Sequence, residues 1–215
     1  MVRPHLESVD LVRGTVLIEP GAPLSHLYLP HSGVISLMVS LSDGQAVEVA
    51  MIGRDSVFDA AAALDGRISL TDAVVLLPGT ASILDVARVR ATADQSALLR
   101  AMLMQHEQAL FAQAQQSAAC NASHSVEARL SRWLLRARDL CDDENLPLTQ
   151  EFLAQMIGVQ RNAVSIVAHA LQQAGILRYS RGHIEITDLE GLRAASCECY
   201  GAVRAQYERL PERSD

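Results

Sequence analysis

The chain has 215 residues and a net charge of −7; 49% of its residues are hydrophobic and only 4% aromatic. This supports a packed core of Leu, Val, Ile and Ala in one large domain or two smaller ones, and excludes a disordered chain. No apolar run reaches bilayer length, "MVRPHLESVD" lacks the apolar stretch of a signal peptide, and four cysteines make no disulfide framework, so the expectation is a cytoplasmic protein that does not enter the membrane.

Up to about residue 84 the sequence consists of apolar runs of strand length: "GTVLIEPG", "HLYLPHSGVISLMVSL", "QAVEVAMIG" and "DAVVLLPGTASIL". Seven of the 12 glycines fall there at turn-like intervals, which predicts a β sandwich or barrel. "SDGQ" at 42–45 is a hairpin turn, because Asp-Gly supplies the positive φ values it needs. From Asp85 to residue 120 the chain is free of Gly and Pro, and Leu99, Leu103, Leu110, Ala114 and Ala118 recur on one helical face, with Met102 and Phe111 flanking it. This predicts one long amphipathic helix that packs on the β domain and pairs with its copy in a second subunit. Leu99, Leu103, His106, Leu110 and Ala114 form the expected interface.

"CNASHS" at 120–125 interrupts that helix and reads as a hinge, with Ser123 and Ser125 at its end. Ser125 is suited to cap a helix carrying Val126, Leu130, Trp133, Leu134 and Ala137. "CDDENLP" is a polar loop, and Thr149 caps a short helix over 150–157. Gly158 allows a sharp turn into a second helix, whose face of Val164, Val167, Ala168 and Leu171 is apolar. Gly175 closes that helix, two short strands follow around Ser180–His183, and the tail over 188–210 is helical. Helix, tight turn, helix and hairpin make a winged helix-turn-helix.

The charge supports this reading. Residues 1–87 hold four Arg against ten acids, a net of −6, whereas residues 149–184 hold Arg161, Arg178 and Arg181 against Glu151 alone, a net of +2. All 18 basic residues are Arg, the residue suited to planar, bidentate contacts with guanine or phosphate. The polar face of the second helix, with Gln160, Arg161, Asn162, Ser165 and His169, is placed to read bases in a major groove. Thr149, Arg181 and His183 are placed for phosphate. An enzyme reading has no phosphate-binding glycine loop, nucleophile elbow or His-Glu zinc motif behind it, and a β-roll metalloenzyme would need converging His and carboxylate ligands that His26 and His31 do not supply.

"LTQEFLAQMIGVQRNAVSIVAHALQQAGILRYSRGHIEITD" resembles the winged-helix domain of the Crp/Fnr family of bacterial transcription regulators; "GTVLIEPGAPLSHLYLPHSGVISLMV" resembles its β-roll and "VEARLSRWLL" its first DNA-domain helix. The resemblance implies an α+β protein. A cupin-like β-roll sensor would cover 1–87, a dimerisation helix and hinge 88–124, and a winged helix-turn-helix 125–215. It also implies a homodimer on a two-fold symmetric site in double-stranded DNA, with RNA polymerase as a further partner. Gln160, Arg161, Asn162 and Ser165 match positions the family uses on bases and phosphates. Ile166 departs from the Arg of the cyclic-AMP-responsive members, so the half-site should differ.

The sensor chemistry is less defined. "GRDSVFDAAAALDGRISLTD" has Gly53, but Arg54 stands where cyclic-nucleotide members carry the ribose-binding acid, Arg67-Ile68-Ser69 matches their phosphate-binding Arg poorly, and Asp55 and Asp59 would repel a phosphate. The expected effector is therefore not cyclic AMP. No Cys precedes Cys120, which argues against the family's N-terminal iron–sulfur cluster. Haem is the remaining cofactor option, with His26, His31 and His106 as ligands that no spacing tells apart. Cys197 and Cys199 are two ligands one residue apart, short of a structural zinc site, so no metal site is expected. The alternative to an effector-switched regulator is a ligand-independent DNA-binding dimer whose β-roll serves only for dimerisation and polymerase contact.

Overall fold

A computed structural model describes residues 5–210 except 59, 61–63, 65–67, 142 and 181. Arg181, Asp59 and Arg67 therefore lie outside the described residues. Seven strands come first: β1 Glu7–Leu11, β2 Val16–Ile18, β3 His26–Pro30, β4 Val34–Ser40, β5 Ala46–Ile52, β6 Asp72–Leu77 and β7 Gly79–Asp85. They form two antiparallel sheets, ordered β1-β7-β3 and β2-β6-β4-β5. Alternation points one face of each sheet inward, so Leu11, Leu27, Ile35, Leu37, Ile52, Val75, Ala81 and Leu84 share a core with Phe58. The 42–45 turn joins β4 to β5 as expected, with Gly44 at φ 84°.

The predicted single helix is two. Asp85 caps α1, Val86–Gln95, by accepting from the Arg88 N–H at 3.0 Å. The chain breaks at Ser96, whose extended backbone (φ −134°, ψ 98°) ends α1 while its hydroxyl caps α2, Ala97–Ser123. Both ends of the break are thus satisfied by one residue. His124 ends α2, and Ser125 Oγ accepts from the Ala128 N–H at 3.3 Å to open α3, Val126–Cys141.

The stripe expected to serve both the β-roll and a second subunit packs on the β-roll. Leu103 is 4% exposed, Leu99 and Leu110 pack with it on the β-roll core, and His106 is buried on the same face; Ala114 is half-buried. The face away from the β-roll carries Met104, Phe111 and Ala118, seven apart, with Phe111 64% exposed. The row of Leu99, Leu103 and Leu110 thus packs on the β-roll as expected, and a second apolar row lies exposed beside it.

The C-terminal half comprises β8 Asn145–Leu146, α4 Gln150–Met156, α5 Arg161–Gln173, β9 Leu177–Ser180, β10 His183–Ile186, α6 Leu189–Ala195 and α7 Cys199–Tyr207. The polar loop after α3 thus contains a strand: β8 pairs with β10, giving a sheet β8-β10-β9. This half docks on the β-roll through a shared apolar cluster, in which Val34, Met51, Leu76 and Leu77 meet Trp133, Leu134, Leu140 and Met156. Within it the buried Glu48 carboxylate accepts from the Trp133 indole N–H at 2.7 Å and the Ser36 hydroxyl at 2.6 Å. Arg136 pairs with Asp55 at 2.6 Å and lies over the Tyr207 ring. A Cβ at Gly53 would stand 2.8 Å from the Leu140 side chain, so the close approach of β-roll and α3 requires glycine there. Among the described residues no helix is long and apolar enough to cross a membrane.

Candidate nucleic-acid interface

Thr149 caps α4 by accepting from the Phe152 N–H at 3.2 Å, as its place before an apolar turn predicts. Leu153, Ala154 and Met156 bury one side of α4. The turn that follows holds Gly158 at φ 63°, which a side-chain-bearing residue adopts at a cost. A Cβ there would also stand 3.2 Å from the Val47 side chain of β5. The turn is fastened from α3, where the Arg129 guanidinium donates to the Ile157 carbonyl.

Gln160 opens α5 without making a side-chain cap bond. Val164, Ala168 and Leu171 bury one face; Gln160, Arg161, Asn162, Ile166 and His169 are exposed. The Arg161 guanidinium pairs with Glu151 at 3.7 Å, and both side chains are largely exposed. Such a pair contributes little and releases Arg161 readily to a base edge or phosphate. Ser165 is placed differently from a simple phosphate donor. Its hydroxyl donates to the Gln150 side-chain oxygen at 2.7 Å and also lies 3.1 Å from the Arg161 carbonyl, so it ties the two helices together.

The wing turn reaches the start of α4. Gly182 has φ 84°, and a Cβ on it would lie 3.5 Å from the Thr149 methyl group. His183, exposed, begins β10 opposite Ser180, and Arg178 crosses to Glu185 at 2.9 Å. Thr149 and the wing turn therefore lie together at the start of α4. Ile166 is 71% exposed on the same face of α5 as Asn162 and His169. An exposed apolar residue between polar side chains has the chemistry to meet a thymine methyl group.

The other sequence candidates separate. His26, at the start of β3, contacts Ser25, and His31, just after β3, has its Nε2 2.7 Å from Ser82 Oγ of β7, whereas His106 is inside α2. Arg54 donates to the Asp139 carbonyl of α3 at 3.0 Å and so joins the two halves of the chain. The premise that Cys197 and Cys199 stand as a lone pair is corrected: packing of α7 on α2 brings Cys120 and His124 to them.

This is a β-roll domain followed by a helix-turn-helix that presents an Arg- and amide-bearing helix, the construction of a DNA-binding transcription regulator. The family described as cyclic nucleotide-binding domain matches residues 8–96, and that described as Crp-like helix-turn-helix domain matches residues 128–195. The chain belongs to the Crp/Fnr family of transcription regulators. Its fold is similar to that of FixK2 from Bradyrhizobium japonicum, with TM-score 0.75 and 15% identity over 89% of this chain and 98% of that one. It is also similar to a Crp/Fnr-family regulator from Thermus thermophilus, with TM-score 0.70 and 23% identity over 88% and 98%. The c-di-GMP-responsive regulator CLP from Xanthomonas campestris gives TM-score 0.67 and 17% identity over 86% and 95%. A search of the curated proteins finds no match.

Proposed function

We propose that this regulator acts as a homodimer on a two-fold symmetric DNA site, and that its β-roll answers to an effector other than cyclic AMP. The observation that carries the DNA reading is the open face of α5. Arg161 is placed to fork onto a guanine, Asn162 onto an adenine, and Ile166 to pack on a thymine methyl group. Thr149 and His183, beside the start of α4, would hold phosphates, as would the wing's Arg181. The homodimer reading is supported by the outer seam of α2, where Met104, Phe111 and Ala118 repeat every seven residues and Gln108 and Gln115 fall between them. Two copies joined there would present their α5 helices to half-sites about one helical turn apart.

The effector reading is supported by Arg54, which stands where cyclic-nucleotide members carry a ribose-binding acid and donates to the Asp139 carbonyl. One relative of this fold is c-di-GMP-responsive, so likeness of fold leaves the ligand open. In the cell such a protein works in the cytoplasm, where promoters and RNA polymerase are. Selection of sites from a random duplex library by the purified protein tests the proposal. Inverted repeats are the expected product; enrichment of asymmetric sites, or of none, contradicts it. The same selection repeated with cyclic AMP added is expected to give unchanged affinity. A visible spectrum and native mass of the purified protein identify a retained effector, haem included.

A further inference from the structure

Cys120 lies in the last turn of α2 and His124 is its cap, four residues on, so the two share one side of the helix end. Cys197 and Cys199 sit in the link from α6 to α7 and at the start of α7. The packing of α7 along α2 closes the distance between these segments. Cys120 Sγ is 3.5 Å from Cys197 Sγ, His124 Nδ1 is 3.5 Å from Cys199 Sγ, and all four ligand atoms lie within 4.8 Å of one another. With metal–sulfur bonds of about 2.3 Å, a tetrahedral ion separates its ligand atoms by about 3.8 Å. The spacing matches one ion at the centre of the four.

The surroundings fit the same occupant. The three cysteines are buried. His124 turns Nδ1 to the sulfurs while its Nε2 faces the Glu198 carboxylate at 3.2 Å, the carboxylate–histidine arrangement that orients a metal ligand. Gln116 donates its amide N–H to Cys199 Sγ at 3.0 Å, a bond that a thiolate strengthens. Three thiolates and a neutral imidazole around a divalent ion leave one negative charge, and the positive charges of Arg129 and Arg132, which act on Cys120, offset it.

We propose that Cys120, His124, Cys197 and Cys199 bind a single tetrahedral divalent ion of the zinc class. A Cys3His set with every position supplied by protein is closed and structural, and the soft thiolates favour zinc over magnesium or calcium. The ion fastens the end of the long helix to the last helix of the DNA-binding half. It thereby fixes the angle at which α5 is presented, and this consequence rests on the DNA-binding reading.

Metal content of the full-length protein, purified with zinc in the medium, tests the site by elemental mass spectrometry. One zinc per chain is expected, retained in Cys141→Ser and lost in Cys199→Ser. Cobalt exchanged into the wild-type protein is expected to show thiolate charge-transfer absorption and the strong visible bands of a tetrahedral ion, a readout needing no variant. Glu198→Gln, at an exposed side chain, should keep the fold and weaken zinc about 10- to 100-fold. Zinc absent from the protein, both as purified and after loading under reducing conditions, would overturn the site. So would zinc that remains bound in Cys199→Ser. DNA affinity before and after chelation is read separately: weaker binding without zinc is expected, and unchanged binding by a zinc-loaded and a stripped protein would overturn the coupling while leaving the site.

Discussion

The Glu48 carboxylate of β5 and the Trp133 indole of α3 are joined by a 2.7 Å hydrogen bond, buried where the DNA-binding half docks on the β-roll. Burial raises the Glu48 carboxyl to about 7, against the pull of its bonds from Ser36 and Trp133 and of the nearby Arg132 and Arg136 charges. The folded state thus prefers the protonated carboxyl. Its contribution to stability is complete below the ordinary value of 4.5 and is lost as the pH rises to about 7. Glu48→Gln keeps an acceptor for Trp133 without a charge to bury. Its melting temperature should match the wild type near pH 5 and exceed it at pH 8, as measured by calorimetry at both values. Equal melting temperatures at pH 8 would show that the carboxylate is better solvated than its burial implies.

Glu48→Ala should do the opposite. It leaves the Trp133 N–H buried without an acceptor, a cost of about 1–3 kcal/mol. Chemical denaturation should show that loss at pH 5, with the junction between the two halves loosening first in hydrogen exchange.

The two stripes of α2 make separable predictions. Met104→Glu with Phe111→Glu alters exposed positions, so a folded monomer with weakened DNA binding is expected in ultracentrifugation. Leu103→Glu buries a charge against the β-roll and should destabilise the chain by several kcal/mol. Dimers that survive the first pair of changes would place the interface elsewhere.

At the joint, Ser125 caps α3 through the Ala128 N–H. Ser125→Ala should cost about 1 kcal/mol of that cap. It should shift DNA affinity while leaving every DNA-facing residue in place. Titration of a labelled duplex in fixed salt measures the effect, and unchanged affinity would make the joint a passive linker.

The strands of the β-roll, the helix-turn-helix and the wing were legible because each rests on local chemistry: Asp43-Gly44, the Thr149 cap, Gly158, Gly175 and the alternation of apolar residues. β1 and β8 were not. "ESVDL" carries little apolar signal, and Asn145–Leu146 becomes a strand only by pairing with β10. Ser96 did carry a readable cap signal, but a long Gly-free run hid it. Residue types alone could not divide the burial of the α2 stripe between the β-roll and a second subunit, because burial in one's own core and burial in a partner demand the same residue types. Nothing local announces that Cys120 meets Cys197, since 77 residues separate them and only the packing of α7 joins them. On the DNA face the reading by residue type placed Arg161 and Asn162 on an open surface, but it could not see that Ser165 is engaged with Gln150.

Reading by α5 is the central claim, and binding-site selection with paired variants tests it most directly. Wild type, Arg161→Ala and Ile166→Ala are each used to select from one random library in the same salt. The account predicts an inverted repeat for all three. Arg161→Ala should relax one guanine position in each half-site at a cost of about 1–3 kcal/mol, and Ile166→Ala should relax one thymine. Identical sequence preferences from the wild type and both variants would mean that α5 does not read DNA.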